Sequence, residues 1–388
     1  MIYDVLIIGG GAAGLFAAAN LRGKSIAILE KNATAGKKIV ASGGGRCNIT
    51  NRHISAKNYV GDHDFISNIL KNLKFNDVLK FFNELKFSEQ KQSQFFCDSG
   101  SRDVLGVLLK RARQSGAEIF YGMQVVAVSQ SRNLSEIFKI LTASGEKFHA
   151  KNVVVASGGA SYKSFGASDI ALKIASNFGL KFSPFVPALV GFTVQRSEFW
   201  FKNLSGVCFG VRVRVAEREL DGDVLFTHKG ISGPAMLNAS LFWQNGVISV
   251  NFAPKFDPRN LRGTKKQIST LLPLPRRFTL GFLQAIDVRD GAFDELSEAQ
   301  KGEVLRLFDY GFAPAGTFGF ERAEVSRGGV DTSGLSANLE CKNVRGLYFV
   351  GEALDATGML GGYNLHFAFA SALTAARDIN LGSVTINY

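Results

Sequence analysis

The sequence predicts an α/β fold in which a mostly parallel, helix-covered sheet is interrupted by an antiparallel β-domain carrying a small helical insert. Three observations support it. An apolar strand at the N-terminus runs into glycine-spaced residues and a helix; later apolar strands at 152–156 and 347–350 also end in glycines; and the pattern changes to alternating strands after Pro187.

Tyr3 to Ile8 is apolar and β-branched enough for a strand buried on both faces, and Gly9-x-Gly11-x-x-Gly14 follows it into an Ala/Leu-rich helix over 13–21. Gly9 allows a tight turn, Gly11 lets backbone approach a pyrophosphate, and Gly14 lets the helix pack on the sheet. The first helical turn, with Ala12 and Ala13, then presents N–H groups at a positive dipole end. A second strand over 25–29 ends on Glu30, about twenty residues on, where a carboxylate can meet a ribose 2′-hydroxyl. A 2′-phosphate would be repelled there, so this Rossmann-like unit suits FAD or NAD over NADP.

Asn32 to Asn51 has neither helical nor strand period and contains Gly36-Lys37-Lys38 and Ser42-Gly43-Gly44-Gly45-Arg46-Cys47-Asn48, as suits a loop folded over an anionic or planar ligand. Apolar spacing predicts two helices within 65–85, a hairpin over 87–97 and a helix over 101–114 capped by Ser101. Short strands follow at 117–120, 124–129, 138–142 and 147–149. The strand 152–156 runs into Ser157-Gly158-Gly159, a second backbone edge for the same dinucleotide, and a helix over 169–177 takes Ser168 as its cap.

Pro184 and Pro187 mark a boundary. Alternating strands over 188–253 read as an antiparallel barrel or sandwich, and 254–312 as a helical insert. The domains are thus 1–187 with 331–388, 188–253 with 313–330, and 254–312. His228, between Thr227 and Gly230, is a candidate to face a ligand. A last strand over 347–350 leads to Gly351-Glu352, then to Gly361-Gly362-Tyr363-Asn364 and a closing helix through Arg377, so both chain ends are expected to meet on one cofactor.

With 388 residues, 46% hydrophobic and 20% charged, the chain reads as soluble and globular. No apolar run reaches the roughly eighteen residues of a membrane span, and the N-terminus lacks the basic start of a signal peptide, which places the protein in the cytoplasm. Cys47, Cys97, Cys208 and Cys341 are far apart and form no Cys-x-x-Cys pair, so no metal site or redox dithiol is expected. The net charge of +12 suits an anionic partner, but Lys and Arg are dispersed. A small-molecule substrate is therefore read first and nucleic acid left open; nothing in the sequence bears on oligomeric state.

Residues 7–14, 36–51, 346–352 and 361–364, with Phe226-Thr-His-Lys-Gly-Ile-Ser-Gly-Pro234, resemble the bacterial BaiN-type flavoproteins, NAD(P)/FAD-dependent oxidoreductases, over nearly the whole chain. The resemblance implies non-covalent FAD in a two-dinucleotide-type fold with an inserted β-barrel. It implies that Gly9, Gly11, Gly14 and Glu30 hold the ADP half, and Ala12, Ala13, Lys31 and Val125 are expected among the cofactor-binding residues. Lys38, Ser42, Gly43, Arg46 and Asn48 would lie along pyrophosphate and flavin, and Cys47, Ser157, Gly158 and Gly159 are also expected among the cofactor-binding residues. Gly351 and Glu352 would replace a Gly-Asp pair on the ribityl chain, and Gly361, Gly362, Tyr363 and Asn364 would approach the ring. Cys341 stands where the family usually has Ser, and His366 where it has Gln.

These features predict an FAD-dependent oxidoreductase. With one fingerprint and no second, NAD(P)H would dock transiently between the Rossmann and barrel domains, or a small organic substrate would reduce the flavin directly. Arg46 could stabilise charge on reduced flavin, and His228 or His366 could exchange a proton. The alternatives are a tRNA-modifying flavoprotein and a non-catalytic redox sensor.

Overall fold

The computed structural model describes residues 1–130 and 137–382. Two compact units divide the chain: Met1–Val186 with Val325–Tyr388, and Pro187–Glu324.

In the first unit, Ile2–Ile8 lies at the centre of the sheet, paired in parallel with Ile26–Glu30 on one side and Lys147–Val155 on the other. Ala117–Tyr121 adds in parallel outside Ile26–Glu30, and Leu347–Phe349 outside residues 153–155. Val5 to Ile8 and all of Ile26–Glu30 are buried, as a strand covered on both faces requires. Phe138–Thr142 and Val125–Gln130 continue the sheet antiparallel. Helix Ala12–Asn20 packs on the closing helix Tyr363–Leu381, with the rings of Phe16 and Phe369 4.8 Å apart, which brings the first and last parts of the chain together.

Four local expectations change. Residues 147–149 and 152–155 belong to one strand, because buried Ala150 pairs with both Tyr3 and Phe138 across the polar break at Lys151 and Asn152. The segment 32–51 holds a short helix, Lys37–Ala41, a tight turn, Ser42–Gly45, and a strand, Asn48–Asn51, that pairs with Gln94–Cys97. Ser101 does not cap its helix; Gly100 does, at φ +111°, while the Ser101 hydroxyl donates to the Val40 carbonyl at 2.7 Å. Asp169, not Ser168, precedes helix Ile170–Asn177.

The strand Val325–Val330 lies in the first unit, where it pairs with Phe182–Ala188, although its alternation grouped it with the second. Alternation along a strand does not name the sheet that the strand joins.

In the second unit seven strands pair in the order Tyr310–Phe312, Ile248–Asn251, Cys208–Val215, Arg218–Thr227, Gly230–Ser232, Phe192–Val194, Pro314–Thr317. Helix Arg276–Ala285 places Phe278 against Phe252, with ring centres 4.7 Å apart, so the helical segment shares the core of this sheet. Among the described residues no helix is long and apolar enough to cross a membrane, and no cluster of three metal-binding side chains occurs.

Candidate functional site

The three fingerprint glycines fall into two kinds. A Cβ at Gly9 would lie 2.6 Å from the Ala156 carbonyl oxygen, and one at Gly14 would lie 2.0 Å from the Gly9 oxygen, so both are required by packing. A Cβ at Gly11 would meet nothing within 4 Å. Gly11 is also the N-cap of helix Ala12–Asn20, with no side-chain cap and no acidic residue in the first turn. Its end therefore presents open backbone N–H groups, including those of Ala12 and Ala13, as an anion site needs.

Glu30 is buried at the end of its strand. One oxygen accepts the Gly10 N–H at 2.9 Å; the other accepts the Asn32 N–H at 2.8 Å and its side-chain amide at 2.7 Å. A carboxylate has about four acceptor positions, which leaves one for a hydroxyl. Lys31 reaches the Ala167 carbonyl at 3.3 Å, and burial lowers its pKa. The Met123 N–H donates to the Glu30 carbonyl at 2.9 Å, which brings the start of Val125–Gln130, with buried Val125, beside the same strand end.

Ser157, Gly158 and Gly159 follow the central strand. The Ser157 Oγ is enclosed without a hydrogen-bond partner, and its Cα lies 3.1 Å from where a Gly9 Cβ would sit. Gly158, at φ +71°, opens onto free space, whereas a Cβ at Gly159 would strike Ser326 Oγ at 2.7 Å and Glu352 Oε1 at 2.8 Å. Glu352 accepts Lys38 Nζ at 2.6 Å and the Ser326 N–H at 2.9 Å. Gly351 packs on the fingerprint helix, with room for only 3.0 Å between an added Cβ and Ala13.

The turn Ser42–Gly45 has three consecutive left-handed residues, Gly43, Gly44 and Gly45, followed by Arg46 and then Cys47 at φ +53°. Ser42 donates its hydroxyl to the Ile39 carbonyl. Arg46 is exposed, its guanidinium 5.0 Å from the centre of the Phe96 ring. A Cβ at Gly43 would lie 3.0 Å from Phe96 and 2.9 Å from the Asn48 N, while one at Gly362 would lie 2.7 Å from Asn48 Oδ1. Asn48 thus joins this turn to the start of helix Tyr363–Leu381, whose N-cap, Gly362, also lacks a side-chain cap. Gly361 is held by Asn51, whose amide donates to its carbonyl at 3.1 Å. Burial raises the Tyr363 phenol pKa.

Two expected roles are corrected. His366 is fully buried; Nε2 lies 3.0 Å from the Leu73 carbonyl oxygen and Nδ1 2.8 Å from Thr50 Oγ1. Desolvation lowers its pKa to about 4, so it stays neutral, holding the Thr50 hydroxyl and the Leu73 carbonyl, and does not exchange protons with a substrate. Asn364 spends its amide on its own turn, accepting the Gly358 N–H and donating to the Gly358 carbonyl, both at 2.8 Å, so it shapes the glycine loop. Burial also pushes the Cys47 thiol up to about 12, which fits packing and excludes a reactive thiolate. His228 is exposed on the Thr227 to Gly230 turn of the second unit.

Sequence reasoning missed Asn51, Phe96 and Ser326. The side chains of Asn51 and Ser326 bond to backbone groups of distant residues, which leaves no motif, although Ser326 stands just before the Gly328-Gly329 pair. These surroundings fit FAD: an uncapped helix start at an open glycine, a buried carboxylate with an acceptor position to spare, an orphaned hydroxyl, and a second uncapped helix start beside a left-handed glycine turn.

The HI0933-like protein Rossmann domain matches residues 3–378. The chain is 33% identical over 392 residues to a ribosomal RNA dihydrouridine synthase of Haemophilus influenzae, covering 97% of this chain and 98% of that protein. It is 30% identical over 411 residues to a 3-dehydro-bile acid delta(4,6)-reductase of Clostridium scindens, covering 96% and 97%. Its fold is similar to that of 3-ketosteroid delta1-dehydrogenase from Sterolibacterium denitrificans, with a TM-score of 0.52 at 12% identity over 98% of this chain and 100% of the other. Quinol-fumarate reductase gives a TM-score of 0.53 at 15% identity, covering 100% of this chain and 72% of the other. The chain belongs to the HI0933-like family of flavin oxidoreductases.

Proposed function

We propose that this protein is an FAD-dependent reductase that converts uridine to dihydrouridine in ribosomal RNA at the expense of NAD(P)H. The observation that carries this reading is the 33% identity to ribosomal RNA dihydrouridine synthase along nearly the full length of both chains. Charge supports it: the unit formed by Met1–Val186 and Val325–Tyr388 carries 28 Lys and Arg against 18 Asp and Glu, a balance suited to a polyanion.

In this reading Gly11, Ala12 and Ala13 hold the pyrophosphate through backbone N–H groups, and Glu30 takes a ribose hydroxyl. Gly361, Gly362 and the glycines after Ser42 form the surface for the ring. Bound FAD would supply two-electron redox chemistry. Arg46 has no anionic partner among the described residues, so its guanidinium is available to negative charge that develops during reduction. Saturating the uracil C5–C6 double bond adds two electrons and two protons; NAD(P)H brings the electrons with one proton, and the second comes from an acid or solvent. His228 is proposed as that acid. The inserted sheet is read as a barrel, because its two edge strands, Tyr310–Phe312 and Pro314–Thr317, are separated only by Ala313.

A second reading, reduction of a conjugated steroid-type ketone, rests on the 30% identity to the bile-acid reductase. One experiment separates them. The FAD-loaded protein is incubated with NADH or NADPH and either a ribosomal RNA transcript or a conjugated dienone steroid. Nucleoside mass spectrometry showing uridine with two added hydrogens supports the RNA reading. Loss of dienone absorbance with unmodified RNA would replace it by the second.

A further inference from the structure

Among the described residues, two buried side-chain oxygens lack partners: Thr279 Oγ1, inside helix Arg276–Ala285, and Ser157 Oγ, beside the fingerprint turn. An enclosed hydroxyl without a partner is costly and calls for an occupant. The loop that follows Ser157 is held by a residue far away in sequence. Ser326 Oγ accepts the N–H groups of Ala160 at 2.9 Å and Ser161 at 3.1 Å, and lies 3.0 Å from the Ser161 hydroxyl. The Ser326 N–H donates to Glu352 Oε1 at 2.9 Å, while the other Glu352 oxygen holds Lys38. Gly159 fits against this pair only because it has no side chain.

We infer that Ser326 and Glu352 are positioning residues for the cofactor, and that Ser157 Oγ is the direct polar contact they orient. Glu352 is thereby given a role other than a ribityl ligand: both its oxygens face the protein, one toward the strand that re-enters this unit and one toward Lys38. The chain Lys38, Glu352, Ser326 and the loop 157–161 ties three of the segments that follow the parallel strands to the returning strand Val325–Val330. Four stretches distant in sequence are fixed by one hydroxyl and one carboxylate.

This inference rests on the flavin reading and is independent of the RNA substrate. Apo-protein is titrated calorimetrically with FAD and, separately, with ADP, for wild type, S157A, S326A, S326T and S157A/S326A, with circular dichroism on each. S157A and S326A are each expected to weaken FAD about tenfold, the value of one good hydrogen bond. S326T, which keeps the hydroxyl, restores wild-type affinity, and the double variant binds no worse than S326A alone because both act through one contact. FAD affinity unchanged in S326A, or losses that multiply in the double variant, would overturn the assignment. Should S326A fail to fold, E352Q reads the same coupling against S157A. Wild-type protein that binds neither FAD nor ADP would defeat the flavin reading itself, and this inference with it.

Discussion

His366 Nε2 lies 3.0 Å from the Leu73 carbonyl oxygen, and a carbonyl can only accept, so the ring carries its proton on Nε2 and receives the Thr50 hydroxyl at Nδ1. This neutral tautomer locks the closing helix to the segment after helix His63–Leu70 and to strand Asn48–Asn51. His366→Gln should therefore destabilise the fold by about 1–3 kcal/mol, while folded protein keeps its turnover. Denaturation curves beside steady-state rates check this.

The same ring has a pH signature. Its pKa falls from the ordinary 6.5 to about 4 on folding because burial disfavours the charged form. Between those values the unfolded chain binds more protons, so stability rises with pH there and is lost as pH falls from 6.5 toward 4. The full effect is about 3 kcal/mol. Urea midpoints from pH 4 to 7 should show a slope in wild type that flattens in His366→Gln.

The glycines of the fingerprint should separate stability from binding. Gly14→Ala places a methyl 2.0 Å from the Gly9 oxygen and should cost about 1–3 kcal/mol of stability or more. Gly11→Ala meets no protein atom, so its melting temperature should stay near that of wild type while FAD affinity falls. Apo-protein melts and FAD titrations of the two variants test the contrast.

Thiol labelling should single out Cys208. It is exposed, whereas Cys47, Cys97 and Cys341 are buried. Its pKa is also raised, by partial burial and by Asp223, so labelling at pH 8 should be slow but confined to one thiol per native chain. All four should react after unfolding. Rapid native modification at Cys47 would contradict its burial.

Arg46→Ala should slow flavin reduction at least about tenfold, since it removes the unpaired cation beside the glycine turn. Arg46→Lys should recover only part of the rate, because a compact ammonium does not reproduce the delocalised guanidinium over Phe96. Anaerobic stopped-flow bleaching near 450 nm measures both.

The residues alone determined the nucleotide unit. Strand, glycine spacing, helix and Glu30 are local features with fixed periods, and the helix periods within 65–85 and over 101–114 are equally local. The glycine-rich loops after 156, 350 and 358 were also visible, because backbone that meets a ligand or itself at close range needs residues without side chains.

Only the tertiary structure decided what each polar side chain in those loops does. Glycines 9, 11 and 14 look alike in sequence, yet two are filled by protein backbone and one is open. His366 resembled a proton carrier until its two ring nitrogens were found spent on Thr50 and Leu73. Ser326, in a strand whose alternation had grouped it with the second unit, proved to hold a loop 165 residues away. Hydrogen-bond partners and burial depend on which distant backbone arrives at a side chain, and no local period records that.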